Sequence, residues 1–354
     1  MFKGIVLPRT TIVVKGVGSI FLSMRRWLLS MSGSKLTISI PQKRSHTTVK
    51  QNGGTISTFG FFTKFPDEQT AISHSERTRW PDGIRCPHCG SQRTTRQRKY
   101  QYHQCKDCRN KFTFRTGTVF ERSHIPMQKW LYSMYLFVTA RKGISSRQLA
   151  KELGITQKSA WFLLHRLREA CGIESPPLEG VVEVDETYLG GKEKNKHFNK
   201  KQRAGRGTIG KTVVMGLRER GGRLKAQEIA DTSTSTMENH VLESVHKGSA
   251  VYTDEHSSYR YLGEHYYHEI VNHSKKQYVR GEVHTNGVES VWAVVKRGYN
   301  GIYHHWSRKH MHRYIDEFVF RFNEGSEMHH TLDQLDLILA NAVGKRITYQ
   351  ALTK

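Results

Sequence analysis

Hydrophobic and polar positions divide this chain into stretches of different period. Up to residue 66 no helical or strand period is sustained, and folded character begins near Phe61 to Pro66. Residues 67–85 predict a short helix with Trp80 as an aromatic anchor, closed by the Pro81-Asp82-Gly83 turn. From Pro126 to Cys171 the period is helical. Glu174-Ser175-Pro176-Pro177 then makes a boundary, because successive prolines cannot continue a helix. Beyond Leu178 short β-rich runs alternate with helical ones: Gly180–Tyr188, Thr208–Leu217, Leu224–Ile229 and Ala250–Asp254 predict strands. Thr236–Val245 predicts a helix with Ser235 and Glu238 at capping-box spacing. Thr285–Arg297 predicts another, whose apolar stripe is Val288, Val291, Trp292 and Val295.

The expected architecture is multidomain. Residues 1–66 form a basic arm expected to be disordered, or a misplaced start with translation beginning at Met24 or Met31; a targeting presequence is the third reading. A small module with its leading helix, whose Cys86/Cys89 and Cys105/Cys108 pairs mark a zinc ribbon, covers 67–120, a helical DNA-binding region 121–174, an α/β domain 178–325 and a helical tail 326–354. Within the helical region, Ser146–Leu153 reads as a short helix, Gly154-Ile155-Thr156 as a turn, and Gln157–Arg168 as a second helix. That is helix-turn-helix spacing, in which the second helix enters the DNA major groove, although a plain helical hairpin has the same pattern. Gln157 and Lys158 are then candidate DNA contacts, Arg166 and Arg168 candidate phosphate contacts, and Trp161 a core residue.

Charge sharpens this picture. Lys and Arg number 56 against 31 for Asp and Glu, a net charge of +25, which points to a polyanionic partner. None of the acids precedes Asp67, so the arm carries basic charge alone. No apolar stretch approaches the roughly 20 residues of a membrane span: Gly16–Met24 is bounded by Lys15 and Arg25. A hydrophobic fraction of 36% is enough for packed cores and excludes wholesale disorder.

Five cysteines are too few for a disulfide scaffold. Four of them, Cys86, Cys89, Cys105 and Cys108, form two C-x2-C knuckles separated by fifteen residues, a spacing that suits tetrahedral zinc. With four thiolate ligands no position is left for water, so this zinc is structural. Arg93, Arg96, Arg98, Lys99, Tyr100 and Tyr102 lie between the knuckles and predict a basic, aromatic hairpin. Cys171 stands alone and reads as a small buried apolar residue.

Acids end two of the strands, at Asp185 and Asp254, and Glu289 lies on the later helix with Lys296 seven residues on and Asn286 one turn before. Two strand-end acids and one on a helix are what a two-metal phosphoryl-transfer site requires. Acids also cap strands commonly, and Glu183, Glu186 and Glu255 compete for the same role.

Asp185-Glu186-Thr187-Tyr188-Leu189-Gly190-Gly191, Thr253-Asp254, and His284-Thr285-Asn286-x-x-Glu289-x-x-Trp292-x-x-x-Lys296-Arg297 together resemble the zinc-ribbon DDE transposases. These are insertion-sequence enzymes with an ISXO-like catalytic domain, related to the Merlin transposons. The resemblance runs from about Phe61 to Gly325 in the family's order, CPHCGS at 86–91 and the helix-turn-helix included. It implies a ribonuclease-H-like catalytic domain and Mg²⁺- or Mn²⁺-dependent cleavage of double-stranded DNA at element ends, followed by strand transfer into target DNA. Asp185 and Asp254 match the first two metal-binding acids. The third position is Glu or Asn in related sequences; Glu289 is preferred to Asn286, since a carboxylate binds a hard cation better. Lys296, with Arg297 beside it, would contact DNA phosphate, and His284 has either an orienting or a surface role. In the segment to Phe322, Lys309 and Arg313 are expected on DNA and Phe318, Phe320 and Phe322 in the core. The tail beyond Leu332 is expected to serve a homo-oligomer, dimer or higher, that pairs two ends. The expected location is the cytoplasm and nucleoid in a bacterium, or the nucleus in a eukaryote. Two other readings stand: a DNA-binding relative without catalysis, and a metal-dependent nuclease that cuts without joining.

Overall fold

The computed structural model describes residues 54–354 apart from 98–100, 192, 194–195, 202–206 and 326–328. The arm, presequence and misplaced-start readings of residues 1–53, and Arg98, Lys99 and Tyr100 of the hairpin, lie outside the described residues.

Order begins before residue 66. Helix α1 (Thr58–Lys64) starts at Ser57, whose side chain accepts the Gly60 N–H at 3.0 Å. Phe61 is fully buried against Tyr132 and Tyr135, at ring separations of 5.4 and 5.3 Å, so α1 is anchored on the core through Phe61 and Phe65 and is not part of an arm. Helix α2 (Glu68–Arg79) is capped by Asp67, which accepts from Thr70 N–H at 2.7 Å. The ribbon follows as an antiparallel sheet of β1 (Thr94–Gln97), β2 (Tyr102–Cys105) and β3 (Lys111–Phe112).

Three further helices, α3 (Met127–Thr139), α4 (Ser146–Leu153) and α5 (Gln157–Cys171), build the helical layer. Helix α3 begins at Pro126, which offers no capping side chain; the Glu68 carboxylate of α2 takes the Met127 and Gln128 N–H groups instead, at 2.7 and 2.8 Å. Thus α2, although it leads the ribbon in the chain, packs in the helical layer. Phe114, Val119 and Phe120 join that same core, so the ribbon ends well before residue 120.

Strand β4 (Val181–Leu189) is the centre of a second, five-stranded sheet. It pairs antiparallel with β5 (Thr212–Glu219), which pairs antiparallel with β6 (Leu224–Ile229). Helix α6 (Thr234–Ser244) crosses to β7 (Ala250–Thr253), parallel to β4, and β8 (Tyr267–Ile270) adds in parallel to β7. The order is therefore β6-β5-β4-β7-β8. Helix α6 starts at Ser233 without a side-chain cap bond, and Glu238 accepts the Tyr261 N–H at 3.0 Å, so the expected Ser235–Glu238 capping box does not form. Helices α7 (Asn286–Gly298) and α8 (Met311–Asn323) complete the domain. Alternation along β4 puts Val182 and Val184 in one apolar layer with Met237 and Val241 of α6. The opposite face meets Val288, Val291, Trp292 and Val295 of α7 and Ile315 and Phe318 of α8. The result is a mixed sheet with helices on both faces.

Helix α9 (Thr331–Asn341) returns to the helical layer, where Leu335 and Ile338 are fully buried beside α2, α3 and α5, and α10 (Tyr349–Thr353) ends the chain. In the tail expected to serve oligomerisation, α9 thus packs into the core of its own chain, while Val343 and Tyr349 stay exposed. Phe318 and Phe320 are buried as expected. Of Lys309 and Arg313, both expected on DNA, Arg313 is turned inward and pairs with Glu169 at 2.8 Å, while Lys309 is exposed and donates to the Leu352 carbonyl at 2.9 Å. No helix among the described residues is long and apolar enough to cross a membrane.

Candidate active site and zinc centre

The sheet brings distant acids to one place. The register of β4 with β7 sets Glu183 opposite Tyr252, so two residues further on Asp254 falls beside Asp185. Across the other edge of β4, Asp185 pairs with Gly216 of β5. A side chain at Gly216 would collide with Trp292: an added Cβ would lie 2.5 Å from its Cζ2 and 2.8 Å from Cη2. Glycine there lets α7 press onto the sheet at the level of Asp185, which carries Glu289 in above it.

Electrostatics report the same crowding. Burial, and then the charges of Glu186, Asp254 and Glu289, push the Asp185 carboxyl up to about 7. Burial also raises Glu186, against a 2.8 Å hydrogen bond donated by the Tyr259 hydroxyl and with Asp254 adding repulsion. Glu289 is exposed and accepts from Thr285 Oγ1 at 2.9 Å, and His273 Nε2 stands 3.8 Å from the same oxygen. Asn286 is the first residue of α7 and is exposed. Lys296 and Arg297 are exposed on its last turn, and Lys296 lines a cleft of about 880 Å³ with Glu186, Gly190, Gly191, Lys211 and His304.

Two of the three competing acids are used elsewhere, while Glu186 stays at the site as the first of the charges acting on Asp185. Glu183 is buried against Arg220 and the start of α7. Glu255 accepts from Ser274 Oγ and from the His273 and Ser274 N–H groups, bonds that hold it down to about 2. Tyr259, Thr285 and His273 were not identified as neighbours of the acids from sequence. The partners of Tyr259 and His273 lie 73 and 16 residues away with no local pattern to join them, while Thr285 and Glu289 are one helical turn apart, a spacing that could have been read.

In the ribbon, Cys86, Cys89, Cys105 and Cys108 have their sulfurs within 4.8 Å of one another, with two pairs at 3.6 Å. Zn–S bonds of about 2.3 Å give a tetrahedron with edges of about 3.8 Å, so the four thiolates fit one zinc ion. Backbone N–H groups of Cys108 and Asp107 aim at the Cys105 sulfur and help bring it down to about 7, toward the thiolate that a metal needs. Cys171 is buried in the helical core.

Helices α4 and α5 and the turn between them occupy the expected span. Gly154 closes α4 at φ 61°, and Thr156 caps α5 by accepting the Ser159 N–H at 3.2 Å. Gln157 and Lys158 are exposed; Gln157 Nε2 donates to Ser146 Oγ at 2.9 Å, and the Lys158 ammonium lies 4.7 Å over the Tyr349 ring. The other two expected contacts are internal. Arg166 is buried over Phe162 and donates to the Glu121 carbonyl at 3.0 Å, while Arg168, 1% exposed, binds Glu317 at 2.7 Å. Neither is open to DNA, because α8 and the 114–121 segment cover that side of α5.

Comparison with known proteins gives matches in the same two regions. Residues 66–111 match the transposase zinc-ribbon domain, and residues 177–323 match the ISXO2-like transposase domain. An uncharacterized protein in transposable element ISH50 of Halobacterium salinarum is 32% identical over 247 residues, covering 66% of this chain and 83% of its own length. Two solved structures are similar at 12% identity, each over 60% of this chain and 78% of the other: a pre-cleavage Mos1 transpososome, at a TM-score of 0.22, and the Mos1 strand transfer complex, at 0.18. Likeness that loose bears no weight on the fold.

Proposed function

Because the chain belongs to the transposase family that joins a zinc-ribbon domain to an ISXO2-like transposase domain, we propose that it cuts double-stranded DNA at insertion-sequence ends and transfers them into target DNA. A ribonuclease-H-like reading of the catalytic domain is supported by its strand order, three antiparallel strands flanked by two parallel ones on the β4 side. The observation that supports the chemistry is the β4–β7 register that sets Asp254 beside Asp185, whose carboxyl is raised to about 7 by burial first and then by the charges of Glu186, Asp254 and Glu289.

An oxygen donor set of this kind suits Mg²⁺ or Mn²⁺. Bound there, a pair of such ions would supply activation of the attacking oxygen and stabilisation of the leaving one. Asp185 and Asp254 hold the site from adjacent strands and Glu289 closes it from α7. Glu289 is favoured over Asn286 because a carboxylate binds a hard cation better than an amide does. Lys296, exposed on the neighbouring cleft, neutralises phosphate beside the scissile bond, with Arg297 next to it. Water attacks the terminal phosphodiester in line, the P–O3′ bond breaks, and the 3′-oxygen leaves as a hydroxyl after protonation. That hydroxyl then attacks a target phosphodiester and displaces the target's own 3′-oxygen. No covalent protein–DNA intermediate is required.

Helices α4 and α5 read DNA as a helix-turn-helix, with Gln157 and Lys158 at the exposed start of α5. The zinc ribbon, held by structural Zn²⁺, adds a second DNA contact. Joining two ends to one target calls for a homo-oligomer on DNA, in whichever compartment holds that DNA, nucleoid or nucleus. The test is to incubate the protein with its element-end duplex, with Mg²⁺ or with chelator, and resolve the products on a gel. Nicked and joined products are expected with Mg²⁺ alone, and Asp185→Asn is expected to abolish both while leaving duplex binding intact. Parallel loss of binding and cleavage would sink the assignment. Cut product without joined product would mean a nuclease, and binding without cutting a DNA-binding relative.

A further inference from the structure

Glu183 is a buried carboxylate, 2% exposed, that the chemistry above leaves unused. It lies two residues before Asp185 on the same face of β4, and both of its oxygens are engaged. Oε2 accepts the Val288 N–H at 3.0 Å, and Oε1 accepts from Arg220 Nε at 2.9 Å with His284 Nδ1 3.3 Å away. Arg220 also donates to the His284 carbonyl at 3.2 Å, and Arg218 to the Gly287 carbonyl at 2.6 Å.

Helix α7 needs this help. Its N-cap residue, Thr285, makes no capping bond to the helix, since its hydroxyl is given to Glu289. The first N–H groups of a helix have no partner within it, and a negative charge there is favourable. Glu183 supplies both from inside the sheet, with its own buried charge balanced by Arg220. The fit is close: a Cβ added at Gly287 would stand 3.0 Å from Glu183 Cδ and closer still to Oε2, so only glycine admits the carboxylate.

We propose that Glu183 is a positioning residue: by capping α7 from β4, it sets where Glu289, one residue past Val288, stands relative to Asp185, and so sets the affinity of the acid cluster for divalent cations. The proposal rests on the two-metal reading of the cluster.

Its test is direct Mn²⁺ binding to the full-length, zinc-loaded protein without DNA, read by electron paramagnetic resonance of the free ion. Wild type is expected to bind Mn²⁺ and Asp185→Asn to lose it. Glu183→Gln keeps the volume but removes the charge, and it is expected to weaken Mn²⁺ binding about tenfold, as loss of a supporting residue around a metal ligand commonly does. Metal-free binding to the end duplex should not change. Gly287→Ala strikes the same contact from the helix side and is expected to weaken Mn²⁺ similarly, with the double variant no worse than the weaker single. It carries the test alone should Glu183→Gln fail to fold. Val241→Ala, a core truncation on the opposite face of the sheet, should lower Tm and leave Mn²⁺ binding unchanged. Wild-type Mn²⁺ affinity in folded Glu183→Gln or Gly287→Ala, or an equal loss in Val241→Ala, overturns the proposal. Absence of Asp185-dependent Mn²⁺ binding in wild type overturns the metal reading itself and the proposal with it.

Discussion

His165 is fully buried, with neither ring nitrogen hydrogen-bonded among the described residues, wedged between Trp161 at 4.4 Å and His310 at 4.5 Å. Burial first, and then the charges of Arg168, His310 and Arg313, hold its pKa down to about 2. A folded-state pKa below the unfolded value near 6.5 means that the unfolded chain takes up a proton the folded one refuses. Stability is therefore complete above about pH 6.5 and falls below it, by about 1.4 kcal/mol per pH unit for one such group. Urea denaturation at pH 7 and pH 5 checks this: His165→Phe should reduce the difference, the remainder coming from His310, whose pKa burial likewise lowers, and an undiminished slope would refute the account. The same burial explains what was hidden at residue scale. Arg166 and Arg168 have the sequence signature of phosphate contacts, about two and a half to three turns along α5. Their inward orientation is decided by Glu121 and Glu317, 45 and 149 residues distant. The zinc ligands were legible because their chemistry is local: each knuckle is four residues long.

At the scale of elements, α5 and α8 are pinned by a buried ion cluster. Arg168 and Arg321 both bind Glu317, which is fully buried and also accepts from the Tyr303 hydroxyl at 2.6 Å, and the attraction of the two guanidiniums holds its carboxyl below the usual range despite burial. Removing one partner of such a cluster leaves uncompensated buried charge, so Arg168→Ala should cost about 3–5 kcal/mol of stability. Chemical denaturation measures it, and a loss of under about 1 kcal/mol would mean that Arg321 alone suffices. Lengths and ends of α4 and α5 were legible because caps such as Thr156 and Gly154 act within a turn. The start of α7 was legible only in part. Its apolar stripe marks the helix, but its cap is Glu183, which sits 105 residues earlier in the chain and carries no local signal. Sequence spacing also paired Ser235 with Glu238, yet Glu238 found a loop N–H instead, a choice made by tertiary packing.

For the whole molecule, the ribbon is the part with least core of its own. Cys86, Cys105 and Phe112 are its buried cluster, with Trp80 and Ile84 alongside. A module that small needs its metal to fold. Stripping zinc with chelator should open residues 81–112 to trypsin while the five-stranded sheet keeps its melting transition, and added Zn²⁺ should restore resistance. Collapse of both transitions together would show that the ribbon is not an independent unit. The strand order of the sheet was legible only as alternating strands and helices; which strands lie side by side follows from pairing across the chain. Helix α9 carries one more consequence. It fills the helical layer next to α2 and α3, with Asp336 bound to His74 at 2.7 Å and the Ala342 carbonyl to Val119 N–H at 3.0 Å. On the ribosome every strand of the sheet is therefore made before the last helix of the layer that holds α4 and α5, whatever the rate of synthesis. Each newborn chain passes through a stage in which all five strands are present and the helical layer still lacks α9, a delay written into the order of the polypeptide.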